Sequence, residues 1–307
     1  MSPPDPAPNT IAAALAAATA RLSASECADT DAAELLSRAL GVGLGELRAL
    51  GGRPLTDAQA ATFARWVARR AAGEPVQYVT GRAAFRDLDL AVDRRVLVPR
   101  PETEGLVEAV LETLAAERER WPAPRVLDLG TGSGAIALAL AHEWPAAAVT
   151  AADLSADALA VARANADACG LAARVAFAEG EWFGAVPPDE RFEVIVSNPP
   201  YIAESEAAAL PADVREWEPH LALFSGADGL DAVREIVDDA PRHLVAGGLL
   251  AMELDETRAR EVAAWLEGAH DWARVEVRDD LSGRPRVLLA RRESGPAIAP
   301  AQWGEDR

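Results

Sequence analysis

Four residues, Asn198-Pro199-Pro200-Tyr201, follow directly on the hydrophobic stretch Phe192–Ser197, which predicts a buried strand. The Asn198 side-chain oxygen and the Pro199 carbonyl can each accept a hydrogen bond, and together they match the two protons of a planar NH₂ group. Each proline fixes its own φ and restricts the residue before it, so both acceptors are in place before a ligand arrives. Tyr201 adds a flat face for a flat group. This NPPY segment (Asn198–Tyr201) therefore predicts a binding site for an amide or for an amino group on a base ring.

The nitrogen of such a group is a poor nucleophile because its lone pair is delocalised. Two acceptors would fix its orientation and stabilise the positive charge that grows on it as a new bond forms. The alternative is a proline-rich exit from a strand, without any chemistry. An Asn-Pro-Pro-aromatic sequence has no ordinary turn requirement, which favours the functional interpretation.

A glycine loop lies earlier, in the sequence RVLDLGTGSGAIALALA. Its residues Gly130, Gly132 and Gly134 allow a tight turn and a close approach of the backbone to a ligand. The helix predicted to begin near Ser133 would direct its free amides at that ligand. The pattern fits the dinucleotide fingerprint only loosely. A nicotinamide cofactor, S-adenosylmethionine and a ligand-free tight turn all stay open at this point.

Two further residues are candidates for the same ligand. Asp153 ends the next predicted strand about twenty residues later, where an acid can accept hydrogen bonds from both hydroxyls of a ribose. It could instead cap the following helix, but Ser155 is available for that cap. Trp182 follows a third predicted strand and could cover an adenine ring, although a core tryptophan is an equal alternative.

The spacing of apolar residues predicts the helices and strands that must position these residues. Residues 10–84 predict a small all-helical domain, and Asp29, Thr30 or Asp31 is expected to cap its second helix. Residues 85–99 predict a β-hairpin linker that turns near Asp93-Arg94. Residues 100–292 alternate strands and helices, which predicts an α/β, Rossmann-like, doubly wound sheet of seven strands with the last strand antiparallel. Residues 1–9 and the tail 293–307 are predicted to be disordered. The seven strands are expected at 125–129, 148–152, 174–178, 192–197, 249–254, 275–277 and 287–290.

Composition limits the partners of this 307-residue chain. Its net charge is -19 and all 30 basic residues are arginine, which disfavours binding along a phosphate backbone. The two cysteines are far apart and the four histidines lack metal-ligand spacing, so no disulfide and no metal site is expected. No apolar run could span a membrane, and from the first residues we expect no signal peptide. We therefore expect a cytoplasmic protein.

Several segments resemble one family, the release factor glutamine methyltransferases (the PrmC/HemK family), which are class I enzymes that use S-adenosylmethionine. The segments are GEPVQYVTG, VLVPRPETEGLVE, VLDLGTGSGAIALAL, FEVIVSNPPYI and LALFSGADGL, in the family order over about residues 10–290. GEPVQYVTG and PRPETE are specific to this family, whereas NPPY also occurs in other methyltransferases of amino groups.

The resemblance implies an enzyme that methylates the side-chain N5 of the glutamine in the Gly-Gly-Gln motif of class 1 peptide chain release factors. It implies S-adenosylmethionine as methyl donor, no metal, and a substrate-recognition role for residues 10–84. The implied cofactor-binding residues are Gly130, Thr131, Gly132, Ser133, Gly134, Asp153, Trp182 and Asn198. The implied catalytic and substrate-binding residues are Asn198, Pro199, Pro200 and Tyr201. The chain departs from the family near residue 252, where MELDETRA replaces the expected LEIG followed by a glutamine, and the roles of Arg100 and Glu102 stay open.

Three other functions compete with this one. An adenine-N6 methyltransferase acting on DNA or RNA would share the NPPY segment, but the net charge of -19 opposes it. A non-enzymatic scaffold would have no use for an NH₂-binding segment. A dehydrogenase would leave the NPPY segment unexplained.

Overall fold

The computed structural model describes residues 9–25 and 27–294. The disorder predicted for residues 1–9 and 293–307 falls almost wholly outside these ranges. The chain divides into two compact units. The first unit comprises the residues up to Arg82 together with Pro211–Trp217, and the second comprises the remainder.

The first unit is helical around its own apolar core, which contains Leu35, Leu36, Phe63 and Val67. Thr56 begins the fourth helix with a capping box, in which its hydroxyl accepts from the Gln59 amide. The helices are α1 Ile11–Arg21, α2 Ala28–Leu40, α3 Leu44–Ala49, α4 Asp57–Ala71, α5 Val76–Thr80 and, later in the chain, α9 Ala212–Trp217.

The cap predicted for α2 is wrong. The helix begins at Ala28, and its N-cap residue Cys27 makes no side-chain capping bond. Asp31 instead lies inside the helix, where its carboxylate accepts from Arg70 Nε at 2.8 Å and from Ser25 Oγ at 3.0 Å. The Asp31 carboxylate, which the local sequence made a candidate cap, therefore forms an ion pair with Arg70 on another helix instead.

The second unit contains the seven-stranded sheet and its helices. In chain order its longer elements are β2 Leu88–Ala91, α6 Pro101–Ala116, β3 Arg125–Leu129, α7 Ala135–Glu143, β4 Ala148–Asp153, α8 Ala156–Ala168, β5 Val175–Glu179, β6 Phe192–Ser197, α10 Asp231–His243, β7 Leu244–Glu253, α11 Glu256–Glu267, β8 Trp272–Asp279 and β9 Pro285–Arg292. Short 3₁₀ helices cover Trp182–Ala185, Glu204–Ala209 and His220–Ala222.

The strand order is β5-β4-β3-β6-β7-β9-β8. The pairs from β5 to β7 are parallel, and β9 is antiparallel to both of its neighbours. This confirms the predicted doubly wound sheet with its last strand antiparallel. The order reverses between β3 and β6, so the two chain crossovers leave this point in opposite directions and a crevice opens between them.

Helices cover both faces of the sheet because its strands are apolar on both sides. Val194 and Val196 of β6 join a buried cluster with residues of α6 and α7. Ile195 between them joins a second cluster with residues of α10 and α11. This alternation is the two-residue period of a strand.

The predicted hairpin is present, but its turn is elsewhere. Strands β1 Arg82–Phe85 and β2 Leu88–Ala91 form a two-stranded sheet joined by Arg86-Asp87, not by Asp93-Arg94. Arg86 has a φ of 49°, and its backbone amide donates to Glu104 Oε1 at 2.9 Å. Its guanidinium pairs with Glu108 and Glu143. These distant carboxylates stabilise a turn that the local sequence does not indicate.

The strands β3 and β6 end level with each other. Leu129 is the register partner of Ser197, and the buried Ser197 hydroxyl donates to the Leu129 carbonyl at 2.8 Å. The glycine loop (Gly130–Gly134) and the NPPY segment therefore begin side by side at the carboxyl edge of the sheet.

Asp128, near the end of β3, fixes the glycine loop from below. Its side chain is fully buried, and Oδ2 accepts from the Thr131 hydroxyl at 2.6 Å and from the Ala137 amide at 3.2 Å. No hydrogen-bond partner for Oδ1 lies among the described residues. Burial raises the pKa of the Asp128 carboxyl to about 7, while the Thr131 and Ala137 bonds oppose that rise.

Asp128 is expected to make stability fall as the pH rises. The native state holds the proton up to about pH 7, whereas the unfolded chain releases it near the ordinary value of 3.8. As the pH rises from the unfolded to the folded pKa value, the free energy of unfolding falls by about 1.4 kcal/mol per pH unit, because the unfolded chain is then ionised and the native chain is not. Asp128→Asn has no such ionisation. Denaturant unfolding from pH 4 to 8 should show the native chain losing stability relative to the variant, and parallel curves would contradict the assignment.

Candidate functional site

A cavity of about 280 Å³ lies at the carboxyl edge of the sheet within the second unit. It opens where the strand order reverses, the usual ligand position in sheets of this kind. Its lining includes Gly130, Gly132, Asp153, Leu154, Trp182, Asn198, Pro200, Phe224 and Glu235. Residues from four successive strand ends thus meet around one space.

The glycine loop lines the cavity with backbone. Gly130 and Gly132 have φ values of 71° and 56°, a region that side-chain-bearing residues rarely adopt. A Cβ on Gly130 would stand 3.7 Å from Trp182 Cζ3. The absence of side chains here leaves the cavity wall open to a ligand. The helix α7 begins only at Ala135, two residues later than predicted, with Gly134 as its N-cap residue.

Asp153 is held by backbone amides on both of its oxygens. Oδ2 accepts from Gly132 N at 2.8 Å and Oδ1 accepts from Ser155 N at 2.8 Å. Each carboxylate oxygen keeps further acceptor capacity toward the cavity that Asp153 lines. Burial raises the pKa of the Asp153 carboxyl, and the two amide bonds oppose that rise. The Ser155 hydroxyl caps α8 by accepting from Ala158 N at 3.1 Å, which leaves Asp153 available.

Trp182 has a φ of 42° and sits in a 3₁₀ turn beyond β5. Its side chain and that of Glu235 on α10 both line the cavity. Burial raises the pKa of the Glu235 carboxyl, the negative charges of Glu181 and Asp231 raise it further, and the Trp182 bond lowers it.

Asn198 stands at the exit of β6, where its Nδ2 donates to Thr103 Oγ1 at 3.2 Å. Pro199 is buried and Pro200 lines the cavity. Ile202 pairs with Phe224 in an isolated bridge, with bonds of 3.0 Å from Ile202 N to Leu223 O and from Ser225 N to Ile202 O. The segment LALFSGADGL thus holds the far end of the NPPY segment.

Tyr201 packs against the buried cluster that includes α10 and α11 residues. Burial raises the pKa of its phenol to about 12, and the negative charge of Glu253 adds to the rise. The phenol is therefore neutral at physiological pH.

The predicted residues fall into two groups. Gly130, Gly132, Asp153, Trp182, Asn198 and Pro200 meet around the cavity. Thr131 and Ser133 are buried, and Gly134 packs against Leu138 and Ala162. These three are not among the residues that line the cavity, and neither are Pro199 and Tyr201. Direct ligand contact stays a prediction for the residues of both groups.

The structure defines the surroundings of Arg100 and Glu102. Arg100 is the N-cap residue of α6, Pro101 occupies the first helical position, and Glu102 follows in the first turn. Arg100 Nη2 bonds Glu218 Oε1 at 2.6 Å. PRPETE therefore starts a helix.

The departure MELDETRA also has a structural explanation. Asp255 caps α11 by accepting from the amides of Thr257 and Arg258. Glu253, the last residue of β7, is buried with 2% of its surface exposed. Asp255, the N-cap residue of α11, thus stands where the family pattern led us to expect glycine.

Sequence reasoning missed five residues near the site: Thr103, Asp128, Leu154, Glu235 and Glu253. Asp128 carried a signal, because a carboxylate two residues before a glycine loop is poised to bond that loop. Thr103 and Glu235 reach the site through contacts between distant parts of the chain, which no local pattern encodes.

Searches confined to the described residues gave two further findings. Residues 9–25 and 27–294 contain no cluster of three or more His, Cys, Asp or Glu side chains arranged to hold a metal ion. They also contain no helix long and apolar enough to cross a membrane.

Two family profiles match this chain, one within each of the two units. The family profile described as PrmC N-terminal domain matches residues 13–81, and the one described as Methyltransferase small domain matches residues 107–213. Two solved structures share the fold. The hMettl16 catalytic domain in complex with a MAT2A 3'UTR hairpin is 13% identical with a TM-score of 0.54, over 80% of this chain and 85% of that one. A Thermus thermophilus 16S rRNA N2 G1207 methyltransferase, solved with AdoMet and guanosine, is 19% identical with a TM-score of 0.51, over 69% and 50%.

Whole-chain relatives are much more similar. The release factor glutamine methyltransferase of Cereibacter sphaeroides is 48% identical over 91% of this chain and 97% of its own. That of Bradyrhizobium diazoefficiens is 43% identical over 90% and 92%. An identity of this size over nearly the full length of both chains is decisive. The chain belongs to the release factor glutamine methyltransferase family.

Proposed function

We propose that this protein uses S-adenosylmethionine to methylate the side-chain N5 of the glutamine in the Gly-Gly-Gln motif of class 1 peptide chain release factors. It would thus act in translation termination, in the cytoplasm. The observation that carries the proposal is the position of Asn198. Its carboxamide lies between a glycine-lined cavity and Thr103, with Nδ2 already engaged by the threonine hydroxyl at 3.2 Å. Oδ1 is then the end left for a substrate NH₂.

The residues around the cavity fit an adenosine-bearing methyl donor. Asp153 would accept from the ribose hydroxyls, Trp182 would cover the adenine, and the backbone of the glycine loop would approach the remainder closely. S-adenosylmethionine supplies a methyl group on a positively charged sulfur. No metal ligand is required for that chemistry, and the relatives' shared name is consistent with it.

The NPPY segment would hold the substrate amide. Asn198 Oδ1 and the Pro199 carbonyl would accept its two protons, and Tyr201 would pack against its plane. These bonds strengthen as positive charge develops on the nitrogen, so they stabilise the transition state more than the bound substrate. The Tyr201 phenol already carries its proton and takes no other, so the proton that the substrate nitrogen loses would pass to solvent after the nitrogen has reacted.

An adenine-N6 methyltransferase remains the alternative, since a flipped base also presents a planar NH₂. The net charge of -19 argues against a nucleic-acid substrate, and no relative reported above at 40% identity or more carries such a name. Methyl transfer to purified release factor, compared with DNA and with a release factor carrying alanine for the glutamine, distinguishes the two.

Asp153 is expected to be required for cofactor affinity. Asp153→Ala removes acceptors for two hydroxyls and should weaken S-adenosylmethionine binding by about 1–3 kcal/mol in calorimetry. Asp157, an exposed acid four residues later in the first turn of α8, provides the matched control, and Asp157→Ala should bind normally. Unchanged affinity in a folded Asp153→Ala protein would exclude Asp153 from the site.

Asn198 is expected to contribute more to rate than to cofactor affinity. Asn198→Ala should lower single-turnover methylation of a release factor by about two to three powers of ten at saturating cofactor. Tyr201→Phe should lose much less, because packing needs the ring and not the hydroxyl. Near-normal turnover in folded Asn198→Ala would contradict the mechanism. A loss explained wholly by weaker cofactor binding would make Asn198 a cofactor residue only.

The first unit is expected to recognise the release factor rather than perform chemistry. The fragment should begin at Ala83, because Phe85, Leu88 and Leu90 are buried in the core of the second unit. This fragment should bind cofactor and methylate a short Gly-Gly-Gln peptide like the full chain, but should methylate intact release factor poorly. Equal activity of fragment and full chain on intact release factor would remove recognition from the first unit.

A further inference from the structure

The two ends of the NPPY segment are held in different ways. Asn198 directly follows β6 and is held by that strand. Tyr201 leads instead into the isolated bridge at Ile202 and the short 3₁₀ helix Glu204–Ala209. A proline fixes its φ but not its ψ. The positions of the Pro199 carbonyl and the Tyr201 ring therefore also depend on what holds the chain after Tyr201.

Glu206 holds the chain there. Its Oε2 accepts from the backbone amide of Ala203, two residues after Tyr201, at 2.9 Å. The same oxygen accepts from Arg258 Nη2 at 2.7 Å. One carboxylate oxygen thus joins the chain that leaves the NPPY segment to the first turn of α11.

Arg258 connects three segments through one guanidinium. Nη2 also donates to the Asp228 carbonyl at 3.0 Å, and Nη1 pairs with Asp255, the N-cap residue of α11. The Arg258 side chain is only 12% exposed, and a charge so far from water must keep its partners. The planar guanidinium fixes the directions of its N–H groups. We call Arg258, Glu206, Asp255 and the Asp228 carbonyl the Arg258 cluster.

Gly229 brings the backbone of Tyr201 close to this cluster. Gly229 has a φ of 83°. A Cβ there would stand 2.4 Å from the Tyr201 carbonyl oxygen and 2.7 Å from Arg258 Nη2. The Tyr201 carbonyl therefore lies directly against the Gly229 backbone, beside the arginine. A movement of Arg258 would loosen both the Ala203 side and the Gly229 side of this contact.

We propose that Arg258 is a positioning residue, which holds the chain after Tyr201 and thereby keeps the Pro199 carbonyl and the Tyr201 ring in place for the substrate amide. The inference rests on the proposed function, in which the NPPY segment binds that amide. No member of the Arg258 cluster is among the residues that line the cofactor cavity, so its loss should lower the rate and leave cofactor affinity unchanged. Arg258 lies in MELDETRA, where the chain departs from the family pattern, and the resemblance assigns it no role.

The test begins with Arg258→Met, which keeps an unbranched stem and removes every donor. Single-turnover methylation at saturating cofactor and substrate should fall by about 10- to 100-fold, because a misplacement of about 1 Å has a cost of that size. The loss should be the same for a short Gly-Gly-Gln peptide and for intact release factor. Calorimetric affinity for S-adenosylmethionine should change by less than about twofold. Arg258→Lys keeps one charged donor for Glu206 and should recover part of the rate.

Arg242→Met is the matched control. Arg242 pairs with Asp239 at 2.7 Å on α10, with the same i,i+3 spacing as the pair of Arg258 with Asp255, and its variant should show native turnover. Glu206→Gln removes the charge but keeps an oxygen for the Ala203 amide, so turnover should fall several-fold. If Glu206 and Arg258 act through their mutual bond, adding Glu206→Gln to Arg258→Met should cause no further loss.

Native turnover in folded Arg258→Met would overturn the inference. A loss confined to intact release factor, a loss explained by weaker cofactor binding, or multiplying losses in the double variant would also overturn it. Asn198→Ala, run in parallel, separates the two failures, because an active Asn198→Ala enzyme would contradict the proposed function itself. If Arg258→Met does not fold, Glu206→Gln decides the matter: reduced turnover with native cofactor affinity would support the inference, and native turnover would overturn it.

Discussion

The parallel register of β3 and β6 is the constraint on which the site depends. Ser197 lies opposite Leu129 and its hydroxyl bonds the Leu129 carbonyl, so the two strands end level. The strand order reverses at this pair, which opens the cavity between the two loops that follow. A slip of one residue would move Asn198 by about 3.3 Å against the glycine loop and turn its side chain to the other face. Apolar burial on both faces of the sheet prevents such a slip.

Buried carboxylates at the same edge of the sheet serve a different purpose from the apolar core. Asp128 near the end of β3 and Glu253 at the end of β7 are 0% and 2% exposed, and each keeps an oxygen with no partner among the described residues. A buried acid of this kind costs stability relative to an apolar residue. Asp128 holds the glycine loop through its bond with the Thr131 hydroxyl. The chain therefore gives up stability where orientation matters, as functional sites commonly do.

The sequence predicted the sheet, and it brought several candidate residues to the edge where the cavity lies, because both depend on local patterns. Strand periodicity, the glycine loop and the proline pair all lie within short segments. The turn at Arg86-Asp87 and the start of α2 were mispredicted because each depends on distant partners, Glu104 for Arg86 and Arg70 for Asp31. The same limit hid Thr103, which lies 95 residues from Asn198 in the chain. Local chemistry revealed which residues could act, and tertiary contacts revealed what orients them.

The placement of charge near Asn198 suits a nitrogen that becomes positive during reaction. A carboxylate in direct contact with the substrate amide would itself require desolvation and could bind the unreacted amide too firmly. A neutral carboxamide avoids both effects and still offers a strong acceptor. In the proposed site the substrate amide would meet only neutral groups, namely the Asn198 carboxamide, the Pro199 carbonyl and the Tyr201 phenol.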